Sequence, residues 1–209
     1  VGGRKAGRLA GVGPVNHIIP LSKGGDDLIE NIQPLCHLVQ RSQRGQARMT
    51  SVLALDLGTK TGWALAEGGR VESGTQVFDV KRGESPGMRF LRLSRWLEEI
   101  ARVDHEHPHG VLELVVYEAA HHRGGAATAV GVGMSSHVLA FCARHGIEHQ
   151  PVHTATLKKY ATGSGRGDKA AVMKAVRSRG WAAHVVEPLD DNHADALALL
   201  HYALEEYKA

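Results

Sequence analysis

A chain of 209 residues, 43% hydrophobic and 22% charged, has room for one full domain with an appendage or for two small ones. This composition excludes a disordered chain, a collagen-like repeat and a disulfide-stapled miniprotein; the two cysteines, Cys36 and Cys142, point to a reducing cytosol. No apolar run reaches the ~18 residues of a membrane span and no signal peptide opens the chain, so a soluble cytoplasmic protein without a membrane partner is expected.

The net charge of +3 is unevenly spread. Residues 1–48 carry seven Lys/Arg against three acids, whereas residues 49–209 carry eighteen against nineteen. Within the latter, Lys158, Lys159, Arg166, Lys169, Lys174, Arg177 and Arg179 crowd around the single acid Asp168. Such a block suits phosphate binding, although a solvated face has the same composition.

In chain order, residues 1–15 are rich in Gly and basic residues and read as poorly ordered. Residues 16–48 form a small unit with turns at Pro20 and Gly24-Gly25, closed by the linker RSQRGQARMT. The run SVLALDLG at 51–58 then predicts a buried strand. The turn Gly58–Gly62 leads to a second strand, Trp63–Ala66, and Gly68-Gly69 to a third, Arg70–Phe78. Met88, Leu91, Leu93, Trp96, Leu97 and Ile100 recur at helical spacing, predicting a helix over 85–103 with Pro86 in its first turn. Residues 111–118 and 147–152 predict two more strands. Helices are expected over 126–145, 153–161, 168–179 and 190–206. Three strands followed by alternating helices and strands describe an α/β sheet with helices on its faces.

The acids sit at the ends of these elements. Asp56 lies in LALDLG and Glu118 closes LVVYE, both in apolar strands where a lone carboxylate is costly and a metal ion would offset that cost. Asp191 and Asp195 are four apart, hence on one face of a helix. Each has a plainer reading: Asp56 capping a turn, Glu118 pairing with Arg123, and Asp190 and Asp191 facing a helix dipole. Taken together, strand Asp, strand Glu and helix Asp suit a phosphodiesterase in which oxygen ligands hold two Mg²⁺ ions about 4 Å apart.

VLALDLGTKTGWALAEGG, VVYEAAHHRGG and LKKYATGSGRGDKAAVMKAV…DDNHADALALL resemble the RuvC-type Holliday-junction resolvases, the phage-like branch most of all, over about residues 51–205. The resemblance implies an RNase H-like fold, a mixed five-stranded sheet flanked by helices, over a nuclease domain at 49–209. It implies a homodimer in the cytoplasm of a bacterial cell or phage-infected host, hydrolysing four-way or other branched DNA with two Mg²⁺ or Mn²⁺ ions. Asp56, Glu118 and Asp195 match the family's metal-binding acids, and Lys159 and Lys169 match lysines near the scissile phosphate. Asn192 stands where the family often has an acid or His, leaving Asp191 or His193 as the fourth ligand. The catalytic set is therefore Asp56, Glu118, Asp191, Asp195 and Lys169. Lys158, Lys159, Arg166, Lys169, Lys174 and Arg123 would contact DNA, by shape and charge more than by base edges.

Residues 16–45 resemble the HNH (ββα-metal) endonucleases. His17 and Asn31 match the motif's water-activating and orienting positions. Asn16 and Gln40 depart from its metal-binding positions, and no upstream Cys pair supplies a zinc staple. A degenerate ββα-like remnant over 1–48 is the expectation, with Met49 a natural start for the main domain. Two rivals follow: an HNH endonuclease acting through His17, and a non-catalytic protein that binds branched DNA. His105, His107 and His109 read as a solvated turn, His121-His122 as neighbours of the substrate, and Cys142, Trp63 and Trp96 as core. Tyr160 reads either as a base-stacking ring or as packing.

Overall fold

The computed structural model describes residues 15–17, 32–34, 51–102, 112–119, 125–186 and 188–207. The chain divides into two units, Val1–Ala47 and Arg48–Ala209. In the first, β1 (Val15–His17) runs antiparallel to β2 (Ile32–Pro34), with His17 opposite Ile32. Asn31, Cys36 and the linker expected at residues 41–50 lie outside the described residues, as do His105–His109 and His121–Arg123.

The second unit is built on a mixed sheet of order β5-β4-β3-β6-β7. β3 (Ser51–Asp56), β4 (Lys60–Glu67) and β5 (Arg70–Val77) form an antiparallel meander. β6 (Leu114–Glu118) and β7 (Glu148–Val152) continue the sheet parallel to β3. Between and after them come α1 (Met88–Ile100), α2 (Gly125–His145), α3 (Thr154–Thr162), α4 (Lys169–Ser178) and α5 (Asp191–Glu206). This is the expected architecture, a five-stranded mixed sheet flanked by helices. β4 extends beyond the predicted Trp63–Ala66 because ladder pairing carries its polar flanks into the sheet, Glu67 opposite Ser51 on β3 and Lys60 and Thr61 opposite Val77 and Gln76 on β5. The β4–β5 turn is Gly68-Gly69, with φ of 55° and 82°, the paired left-handed conformation of a tight two-residue hairpin. α1 begins later than predicted, at Met88, because the caps lie at Gly87 and Ala101.

The period-two alternation of strands divides the sheet between two tasks. Leu53, Leu55, Leu65, Val115 and Tyr117 face α1 and α2, where Leu93, Leu97, Met134, Val138 and Phe141 complete the main core. Each fully buried aliphatic there contributes roughly 1.5–3 kcal/mol. Trp96 meets both Trp63 and Phe78 edge to face, at 6.1 and 5.7 Å, so the tryptophans read as core do pack there. Cys142 is also buried, its thiol pushed up to about 12 by desolvation. The opposite parity, Val52, Ala54 and Asp56 on β3 with Leu114, Val116 and Glu118 on β6, belongs to the other face. There α5 packs on β3 and β4. Its long buried run, from His193 through Leu200 with only Asp195 partly open, is rich in alanine and lets the helix approach closely. No helix among the described residues is long and apolar enough to cross a membrane.

Candidate active site

Asp56 ends β3 and Glu118 ends β6, and the two strands are parallel neighbours. Both carboxylates therefore emerge at the same edge of the sheet, on the face that α5 covers. The first turn of α5 adds Asp191 and, one turn on, Asp195. The convergence is electrostatic as well as topological. Asp56 is pushed up to about 8 by burial, then by the charges of Glu118 and Asp195, with Lys169 opposing and Asp191 adding. Burial and Glu118 likewise push Asp195 up to about 6, against Lys169 and Lys158. Carboxylates raised this far are short of positive charge.

Lys169 supplies part of it. The first residue of α4, it forms an ion pair with Asp191. That bond holds the Asp191 carboxyl below, and the Lys169 ammonium above, their ordinary ranges. The pair is exposed, with Lys169 at 70%, so it contributes at most about 1 kcal/mol to stability.

Three contacts that sequence spacing does not display fix the acids in place. The Thr154 hydroxyl, at the start of α3, donates to Glu118 Oε1. Val152, two residues before Thr154, is the ladder partner of Glu118, so β7 delivers this hydroxyl to the carboxylate. Gly62 faces Asp56 across the β3–β4 ladder, and a Cβ there would lie 1.9 Å from the Asn192 carbonyl oxygen. Only a glycine lets the first turn of α5 descend onto the sheet beside Asp56. Finally, Asp190 caps α5 by accepting from the His193 backbone N–H at 2.8 Å, and it accepts from the Thr75 hydroxyl on β5 at 3.0 Å. Thr75 stands opposite Gly62, so cap and close approach belong to one row of the sheet.

Of the sequence-derived candidates, Asp56, Glu118, Asp191, Asp195, Lys158 and Lys169 come together. His193 does not join them. Two positions beyond Asp191, it lies about 200° around the helix, and its Nε2 hydrogen-bonds Ser73 Oγ on β5 at 2.7 Å. The same hydroxyl meets His184 Nε2 at 2.7 Å. His193 thus belongs to the contact of α5 with β5, and Asp191 is the candidate that completes the set. Tyr160 is packing: its ring stacks on Trp181 at 5.5 Å, meets Tyr202 edge on, and its hydroxyl donates to Glu205 at 2.8 Å. Lys159, Arg166 and Lys174 are exposed on α3, the following loop and α4. Arg123 lies outside the described residues, and Glu118 has Thr154 as a partner in any case.

Among the described residues, no three His, Cys, Asp or Glu side chains already stand close enough together to hold a metal ion. The chemistry of the donors nonetheless suits a hard divalent cation: carboxylate oxygens only, with Asp56 pushed to about 8 by burial first and by its acidic neighbours second. Asp56, Glu118 and Asp195, with Asp191 once free of Lys169, are the residues that would hold it.

The comparisons with known proteins bear on each unit separately. The HNH endonuclease family model matches residues 14–38. No curated protein sequence matches the chain. Among solved structures, the fold is similar to T. thermophilus RuvC in complex with a Holliday junction substrate, with a TM-score of 0.57 and 20% identity over 75% of this chain and 96% of that one. The Thermus thermophilus RuvC structure matches with a TM-score of 0.56 and 21% identity, over 76% and 97%. At this identity the likeness establishes a shared RNase H-like fold.

Proposed function

We propose that the chain is a divalent-metal-dependent, structure-selective DNA endonuclease that resolves four-way or otherwise branched DNA, in the manner of the RuvC-type family. The observation that carries this reading is the gathering of Asp56, Glu118, Asp191 and Asp195 at one sheet edge, with Lys169 beside them, on a fold shared with a junction-bound resolvase. A protein that only bound DNA would gain by lacking these carboxylates, because each repels phosphate. Two Mg²⁺ or Mn²⁺ ions held there would activate a water and steady the departing oxygen.

The chain's own residues supply the rest. Thr154 orients Glu118, Asp190 and Gly62 set α5 so that Asp195 faces Asp56, and Lys169 offers an ammonium to a non-bridging phosphate oxygen. Lys158, Lys159, Arg166 and Lys174 attract the backbone by charge, which selects shape more than sequence. A four-way junction has two-fold symmetry, so paired cuts call for a homodimer. In this reading residues 49–209 are the nuclease domain and residues 1–48 a degenerate HNH-like segment.

The test is cleavage of an end-labelled four-way junction, beside linear duplex and a flap, in Mg²⁺ or Mn²⁺. Paired nicks in the junction that vanish with Asp56→Asn and persist with His17→Ala are expected. The family-model match at residues 14–38 favours a second reading, in which His17 of an HNH unit performs the hydrolysis. Cleavage lost with His17→Ala and kept with Asp56→Asn would establish that reading in place of the first. Tight junction binding in Mg²⁺ with no cleavage by any variant would leave a non-catalytic DNA-binding protein.

A further inference from the structure

We propose that the outer face of α4 is a seat for the sugar-phosphate backbone of the DNA strand that leads away from the acidic cluster; this rests on DNA being the polymer that the cluster acts on. Ala170, Met173, Lys174, Arg177 and Ser178 line a shallow, open concavity of about 520 Å³. Their spacing, i, i+3, i+4, i+7 and i+8, marks a single helical stripe. A stripe at that spacing ordinarily faces a core, but the core-facing side of α4 is a different one, carried by the buried Val172 and Val176. Among the described residues no other element lines this stripe, and Lys174, Arg177 and Ser178 are exposed.

Charge and continuity identify the occupant. Among the described residues neither Lys174 nor Arg177 has an ion-pair partner, whereas Arg92, Arg95, Arg102 and Arg144 are all paired with acids. Two unneutralised cations over a floor of Ala and Met methyl groups suit a polyanion with an apolar sugar edge. The row Lys169, Met173, Arg177 runs at four-residue steps from the ion pair with Asp191 outward along α4. From Lys169 to Arg177 the helix rises about 12 Å, enough for three or four nucleotides of a duplex strand. A strand cut beside Asp56 and Lys169 would therefore pass over this face.

The test measures binding of a fluorescein-labelled four-way junction by anisotropy, in EDTA to prevent hydrolysis, across a salt series. The full chain is compared with the double variant Lys174→Gln/Arg177→Gln. The control is Arg95→Gln/Arg144→Gln, which removes the same charge from the α1–α2 face of the sheet. The α4 variant is expected to bind about tenfold more weakly near 0.1 M salt and to lower the slope of log K against log salt by about 2, one per lost phosphate contact. The control should leave the slope unchanged. Circular dichroism of both variants checks that they fold. An α4 variant with the wild-type slope, or a control that lowers the slope equally, overturns the proposal. So does a wild-type dimer that the α4 variant dissociates with its DNA affinity intact, since the occupant would then be a second copy. Cleavage is scored separately with wild type in Mg²⁺. A junction that is cut while the slope is unmoved removes this seat alone, and a junction bound through Lys174 and Arg177 but never cut removes the nuclease reading alone.

Discussion

Asp56 carries two burdens that can be measured apart. Its carboxyl is raised from 3.8 to about 8 in the fold. Between those values the folded chain holds a proton that the unfolded chain has released, so stability falls as pH rises through that window. The loss is up to about 1.4 kcal/mol per pH unit and is complete above about 8. In EDTA, Asp56→Asn should therefore melt at a higher temperature than wild type at pH 8, by several °C, and the gap should close toward pH 4. A gap independent of pH would show that the carboxylate is not strained. Adding Mn²⁺ should raise the melting temperature of wild type and leave Asp56→Asn unmoved, because the cation offsets the charge that asparagine lacks. Thr154 invites a second comparison. Thr154→Val removes the donor to Glu118 Oε1 and should weaken Mn²⁺ binding by calorimetry, while Thr154→Ser, which keeps the hydroxyl, should restore it. Equal loss in both variants would mean that the methyl group, not the hydrogen bond, is what matters.

At the scale of elements the site depends on how deeply α5 sits against the sheet. Gly62→Ala would drive a methyl into the Asn192 carbonyl, a backbone atom that yields only if the first turn of the helix lifts. The expected cost is about 1–3 kcal/mol in denaturant unfolding, with Mn²⁺ affinity lost alongside. A variant of wild-type affinity would show that the acids do not need this approach. The same contact shows where sequence reasoning stops. Asp56 and Glu118 could be read as site residues because a carboxylate ending an apolar strand is costly and local, and Asp191 and Asp195 because four residues make one helical turn. Gly62 against Asn192, and Thr154 against Glu118, join residues far apart in the chain. Period and spacing define the face of each element but not which face meets which. His193 was open to misreading for that reason: proximity to two acids in sequence suggested a ligand, whereas its position around the helix turns it to Ser73.

Across the second unit the sheet separates the main apolar core from the gathered carboxylates. One face of the sheet, against α1 and α2, buries large aliphatic and aromatic side chains such as Leu53, Leu97, Phe78 and Phe141. The other, under α5, combines Val52, Leu114 and Val116 with the alanines of the sheet and helix, whose small side chains let α5 approach closely beside the carboxylates. The two should therefore respond oppositely to substitution. Leu97→Ala opens a cavity in the α1 core and should cost about 2–5 kcal/mol of stability. The cavity lies on the face of the sheet opposite α5 and removes no carboxylate, so Mn²⁺ affinity measured below the melting transition should match wild type. Asp195→Asn should do the reverse. Its carboxyl is raised to about 6, so above that pH the folded chain in EDTA gains stability from losing the charge, while Mn²⁺ binding is lost. Paired unfolding and calorimetry on these two variants decide the matter. If Leu97→Ala weakened the cation as much as Asp195→Asn, the two faces would be coupled through the sheet, and the site would be a property of the whole domain and not of one edge.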